Sequence, residues 1–547
     1  MRTSPESCPV PAAGTPLLTR PKVVPDGPSS LSLQPSATPP KPRMRRGHPA
    51  PRFREDHTHQ LDPLRGCPEE MVPEGHLARQ VQAWVRALDT RALEAEYSSL
   101  GRHGIHPRNL LAVWVYASLV GMHYATEVVR ALATDHAFWL LSGGHTVKET
   151  TLRTFRREHG AFLAQAVGQT VQMAHEQGLL DPQQLAVDSV RLQADASNAS
   201  LRTRTRSTAR LAALAEVDTA TLSPEAQMAH AEKLAKHQVA IEHCDTEGCS
   251  SYSTTTPSAA LLKFPSGAAW PGHRLTVTAC RSDLRMVVSV LINATPNDFG
   301  LLEAAVTQTR ANLSAAGLPE ETRLQVAADA GYSSKADLAF AEANESWVDL
   351  LVAEPPEPAR GKKARPGGFF GRDRFQIHDD GSATCPAGRA MQGPSKQGKH
   401  RRMWTGEGCA SCALKAACTN AKVRTLNQDP EADRLHQAMR TRLAAPGAQA
   451  RYHQRIAIVE PVFAYLEDVM GYRRASSRLT ATVQAEIWLK ILAYNLLRLH
   501  TVGAVVSVCV SLAASPAGIR ILAAWIPLWP SATTPEHPRA VLLQTLS

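Results

Sequence analysis

Hydrophobic and polar positions along the chain follow two different periods. From residue 74 to about 180 apolar residues recur at helical spacing, with Leu77, Val81, Trp84 and Val85 on one face. Pro107 opens a second segment, Leu110 to Met122, that is apolar nearly all round and so predicts a buried helix. Thr151–His159 and Ala161–Gln177 continue the pattern until Gly178-Leu179-Leu180-Asp181-Pro182 stops it. After Pro182 short apolar runs take over. Leu185-Ala186-Val187 predicts a buried strand ending at Asp188, and Leu324–Ala328 one that ends at Asp329. His273–Cys280 and Met286–Ile292 flank Arg281-Ser282-Asp283-Leu284 as a hairpin, and Trp347–Val352 is a further strand. Helices over Leu301–Ala316 and Ser334–Asn344 separate the later strands. The alternation predicts an α/β core with at least partly parallel order.

Polarity and composition divide the rest. Residues 1–62 form a Pro-rich arm: 13 of the 38 prolines fall before position 52, and Arg43, Arg45, Arg46, Arg52 and Arg54 make its end basic. Such a stretch buries too little to order itself, and Met44 is a candidate start codon within it. A helical unit over 63–182 follows, and the core begins at 183–353, broken by an exposed helical excursion at 200–245. Residues 354–430 are a basic, cysteine-bearing insert, 431–501 are helical again, and 502–547 carry no clear pattern.

With 43% hydrophobic and 20% charged residues the 547-residue chain is expected to be soluble and globular, and its net charge of +10 points weakly to an anionic partner. The N-terminus lacks a secretory apolar core, and Gly503–Ser515 is too short to span a bilayer. Ten cysteines without a signal argue for reduced thiols or metal ligands, hence a cytoplasmic protein.

Three acids stand out chemically. Asp188 and Asp329 each follow an apolar run, which at strand ends aims a carboxylate into the ligand crevice. Glu460 lies in the apolar stretch Val459-Glu460-Pro461-Val462-Phe463, where it needs a cation nearby, and Pro461 is expected in a first helical turn. Taken singly each reads as a structural carboxylate. Taken together they suit phosphodiester chemistry with two Mg²⁺ ions held by hard oxygens from several segments.

Val187-Asp188-Ser189 with Gln193-Ala194-Asp195-Ala196-Ser197, then Ala328-Asp329-Ala330-Gly331-Tyr332-Ser333, then Tyr452-x-x-Arg455 leading to Glu460, resemble the DDE transposases of bacterial insertion sequences. Within these the group numbered eleven-eighty-two is the nearest. The likeness runs from Pro73-Glu74-Gly75-His76 to Tyr494-Asn495-Leu496. It implies an RNase H-like core with an N-terminal helical DNA-binding domain, Asp188, Asp329 and Glu460 as ligands of two Mg²⁺ ions, and cleavage and strand transfer at element ends. It further implies DNA contacts from Arg455, Tyr332, Arg473, Arg474, Lys362 and Lys363, a nucleoid location, and a homodimer holding terminal inverted repeats and target DNA. The chain departs from the family at Ser189-Val190-Arg191, where Gly-Thr-Lys is usual, and at Gly272–Thr276, where Gly-Tyr-Asn-x-Gln is usual. A third departure is Glu467, where a Lys is expected. Seven residues make two helical turns, so Glu467 is expected on the Glu460 face, repelling phosphate. A non-catalytic DNA-binding relic and a nuclease without strand transfer are the alternatives.

In the insert, Cys385, Cys409, Cys412 and Cys418 have the ligand count of a closed tetrahedral Zn²⁺ site, with four free thiols as the alternative. The basic residues around them would follow DNA phosphates. Gly393–His400 imitates a phosphate-binding loop but lacks the Ser/Thr and a preceding strand. Asp195 and Asp298 are expected to be structural.

Overall fold

A computed structural model describes residues 30–31, 50–293, 295, 298–354, 369–397 and 401–513. Most of the N-terminal arm, Lys362 and Lys363, and the tail beyond 513 lie outside the described residues.

Helices dominate up to residue 176. Leu77–Ala87 starts behind His76, whose ring accepts from the Ala78 amide. Helix α1 (Pro107–Leu119) has Pro107 in its first turn, where the missing N–H costs nothing, and its residues from Leu110 to Leu119 are all buried. Helices α2 (Glu149–Glu158) and α3 (Gly160–Glu176) follow. Their apolar faces join those of the later elements in one continuous core.

The central sheet is mixed. Its strands are β1 (Leu185–Gln193), β2 (Ala269–Cys280), β3 (Met286–Asn293), β4 (Leu324–Ala328) and β5 (Val348–Val352), in the order β3-β2-β1-β4-β5. The first three pair antiparallel, whereas β1–β4 and β4–β5 are parallel. Ser30–Leu31 pairs with β3, and Ala260–Lys263 with β2. Helix α4 (Leu302–Ala315) packs on β2 and β3.

Strand β1 does not stop at Asp188. It runs to Gln193 because its second half pairs with β2 from Asp188↔Val277 to Gln193↔Gly272. What ends beside Asp188 is the parallel ladder, whose last pair is Val187↔Ala328. The excursion is a helical pair, Arg204–Ala215 and Pro224–Glu247, rooted on the small hairpin of Leu201–Thr203 and Ser251–Ser253.

Residues 376–428 hold an antiparallel sheet of five strands around Phe375, Ala383, Met391, Trp404 and Leu426. Helix α5 (Ala448–Ala464) follows, begun by Gly447 at φ 78°. Pro461 therefore sits thirteen residues into a helix, not in its first turn, and withholds the N–H that would bond the Ala457 carbonyl. A π turn, Tyr465–Val469, continues it, with the Met470 amide on the Tyr465 carbonyl. That wider turn offsets Glu467 from the straight α register in which it would share the Glu460 face. Helix α6 (Thr480–Ala513) packs against α1, α2 and α3. Among the described residues, no helix is long and apolar enough to cross a membrane.

Candidate active site

The end of the parallel ladder puts two acids side by side. Val187 pairs with Ala328, so Asp188 and Asp329 leave adjacent strands at one level. Asp329 caps the 3₁₀ turn Ala330–Tyr332, accepting from the Gly331 amide at 2.9 Å. On Asp188, Oδ1 accepts from the Ser189 amide at 2.7 Å, and Oδ2 from Arg455 Nη1 at 2.7 Å. Burial, with the charge of Asp329 second, pushes the Asp188 carboxyl up to about 6, against the opposing pull of Arg455 and the Ser189 amide.

Arg455 projects from α5 one turn before Glu460. Its side chain is 10% exposed and reaches both acids: Nη1 holds Asp188, and Nη2 lies 3.9 Å from Glu460 Oε1. Glu460 itself is 54% exposed and open to solvent. One guanidinium thus reaches two carboxylates, Asp188 and Glu460, while Asp329 lies at the level of Asp188 on the neighbouring strand. Hard oxygen donors are the ligand type of a divalent cation of the Mg²⁺ class, but among the described residues Asp188, Asp329 and Glu460 do not come together as a group of three that could hold one. Tyr332 is buried beneath them, and burial together with Asp298 and Asp188 raises its phenol well above the ordinary range.

Other expected contact residues are already engaged within the chain. Arg473 bonds Asp468 and the Glu467 carbonyl. Arg474 pairs with Asp195 at 3.0 Å, and Arg478 joins the same carboxylate at 2.7 Å, so Asp195 is a fastener for this segment. Burial lifts the Glu467 carboxyl above its usual range, with Arg473 opposing and Asp468 adding to the rise.

Cys385, Cys409, Cys412 and Cys418 line one cavity of the insert, with room of about 30 Å³. The Cys418 thiol is raised first by burial and then by its three neighbouring thiols, with Arg424 opposing. Among the described residues, no group of three or more His, Cys, Asp or Glu side chains is arranged so that it could hold a metal ion.

Sequence reasoning set aside Asp298 and passed over Arg274, yet the fold brings both to the site. Asp298 bonds Ser189 Oγ and Arg274. The available signal was Ser189 itself, a hydroxyl directly after the first acid.

Two family models match the chain. A transposase DDE domain matches residues 384–500, a span that holds Arg455, Glu460 and the four cysteines Cys385, Cys409, Cys412 and Cys418. A transposase domain (DUF772) matches residues 67–158, the region of the first helices through α2. No curated protein matches the chain. With one transposase domain on the helices and a transposase DDE domain on the segment bearing Glu460, the two matches indicate a DDE transposase of the insertion-sequence type.

Proposed function

We propose that the protein cleaves phosphodiesters at the ends of an insertion sequence and joins the freed 3′-hydroxyl to target DNA. The sheet order, antiparallel through β3-β2-β1 and parallel through β1-β4-β5, supports an RNase H-like core. Asp188, Asp329 and Glu460 would hold two Mg²⁺ ions. When bound, such ions activate the attacking oxygen and stabilise the leaving one. Asp188 and Asp329 fix the floor of the site, Glu460 closes its open side, and Arg455 keeps Asp188 ionised and oriented. The observation that carries this reading is the Val187↔Ala328 pair, which juxtaposes two acids distant in sequence, with Arg455 spanning from Asp188 toward Glu460.

The remaining assignments go with it. The helices of 63–182 would recognise terminal inverted repeats of the eleven-eighty-two kind. The basic insert would follow the DNA backbone, and its four cysteines would take a structural Zn²⁺ in their common cavity. Arg473 and Arg474 would line the DNA path after exchanging Asp468 and Asp195 for phosphate, whereas Tyr332, expected there from the resemblance, is fully buried beneath the acids. Two element ends must be joined, so a homodimer on nucleoid DNA is the expected assembly.

The test is a labelled terminal repeat incubated with protein and Mg²⁺, for wild type and Asp188→Asn. Cleavage with joining by the wild type alone supports the reading. Equal cleavage by the variant overturns it. A second reading, a DNA-binding relic, is favoured by Glu467, whose half-buried carboxylate stands where the family places a lysine. Specific binding without any cleavage by the wild type would select it.

A further inference from the structure

Beside the Asp188–Asp329 pair lies a buried cation that the proposed chemistry does not use. Arg274 sits on β2 with its side chain 2% exposed. Its Nη1 donates to Ser189 Oγ at 2.7 Å and pairs with Asp298, while Nε donates to the Thr295 carbonyl at 3.1 Å. Ser189 Oγ in turn donates to the same Asp298 oxygen. The Ser189 amide holds Asp188 Oδ1. Asp298 thus grips the residue whose backbone orients the first catalytic acid.

Its second oxygen faces the other acid. A Cβ built on Gly331 would lie 3.0 Å from Asp329 Oδ1 and 3.1 Å from Asp298 Oδ2. The two oxygens are therefore no more than about 6 Å apart, and a methyl at 331 would crowd both. Without Asp298, Arg274, whose Nη1 bonds Ser189 Oγ beside Asp188, would lose its carboxylate partner, and its charge would oppose an incoming cation.

We infer that Asp298 is a positioning residue of this site: by neutralising buried Arg274 and tethering Ser189, it leaves Asp188 and Asp329 available to a divalent cation. The inference rests on the catalytic reading above. Two substitutions move the local charge in opposite directions. Asp298→Asn exposes the site to the Arg274 charge, whereas Arg274→Met frees a carboxylate beside it. Asp298 is partly exposed, so Arg274→Met leaves no deeply buried charge unpaired.

The experiment is titration calorimetry of the full-length protein with Mn²⁺, and separately with Mg²⁺, alongside thermal melts. Asp298→Asn should weaken binding by about tenfold or more, the usual cost of losing an outer partner of a metal ligand. Arg274→Met should tighten binding by about threefold or more. A purely structural role would lower both melting temperatures without moving the two affinities in opposite directions. Unchanged affinity in a folded Asp298→Asn overturns the inference. Should that variant not fold, Arg274→Met decides: tighter binding supports the inference, and equal or weaker binding overturns it. A wild type without saturable metal binding overturns the catalytic reading as well, whereas a binding wild type with indifferent variants removes only this inference.

Discussion

Under the proposed chemistry protons and metal ions compete for Asp188, and the burial of its carboxyl sets the pH at which the proton wins. The carboxyl is lifted from 3.8 to about 6 because it is buried and faces Asp329. A ligand must be deprotonated to bind a cation, so the apparent dissociation constant rises by one plus the ratio of protonated to free carboxylate. With a value near 6, lowering the pH from 7.5 to 5 weakens Mg²⁺ binding by about tenfold through this group alone. An ordinary aspartate at 3.8 would change affinity by only about a twentieth over the same interval. Calorimetric titration with Mg²⁺ between pH 5 and 7.5 measures this directly. Arg455→Met provides the control, since Arg455 opposes the rise and its loss should carry the midpoint above 6. Affinity that stays flat down to pH 5, or a midpoint that falls in Arg455→Met, would refute the assignment of the raised group.

Three further outcomes follow from the same geometry. The folded-state carboxyl of Asp188 is raised above its unfolded value, so folding takes up a proton between about pH 4 and 6 and metal-free stability falls as pH rises through that window. Above pH 6, metal-free Asp188→Asn should therefore exceed the wild type by up to about 3 kcal/mol in urea unfolding, with the difference vanishing below pH 4; a pH-independent difference would count against the burial argument. Gly331→Ala places a methyl against both Asp329 and Asp298, and gel assays should show at least about a tenfold loss of terminal-repeat cleavage with circular dichroism unchanged. Glu467→Lys installs the cation that the resembled family carries at this position and should raise strand transfer in a joining assay; no gain would mean that Glu467 is not what limits this chain.

The legible parts of the fold are those whose periodicity is local. The helices at Leu77–Ala87 and Pro107–Leu119 follow from apolar spacing and from a proline that fits a first turn. The three acids were legible through flanking apolar runs and family motifs. The course of β1 was not. Its second half, Asp188–Gln193, alternates polar and apolar residues and becomes strand only because β2 pairs with all of it. The insert sheet was hidden as well, since its strands are short and rich in Gly, Pro and Lys, and one buried Trp404 organises them. Asp298 shows the limit most clearly. No apolar run precedes it, and its meaning comes from Arg274 and Ser189, the latter 109 residues away.

The two family matches are separated by more than 200 residues, yet a buried polar network makes the helices part of the catalytic framework. After the π turn the chain crosses to β1, where the Gln193 amide bonds the Arg473 carbonyl and the Ala475 amide bonds the Gln193 carbonyl. The strand of Asp188 and the helix of Glu460 are thus joined through one short segment. That segment is held from below: the Ser476 amide bonds Glu486 Oε1 at 2.9 Å, and Arg156 from α2 bonds Ser477 Oγ at 3.0 Å. Lys490, one turn along α6 from Glu486, is fully buried and donates to Ser118 Oγ in α1 and to the Met122 carbonyl. Burial draws that ammonium down to about 7, which it could not tolerate without Glu486 nearby. Charges this deeply buried persist only when each has a partner, so α1 and α2 cannot be shifted without breaking the segment that spaces Asp188 from Glu460. The helices and the carboxylates therefore share one connection, running from Arg156 through Ser477, Glu486 and Ser476 to the segment that bonds Gln193.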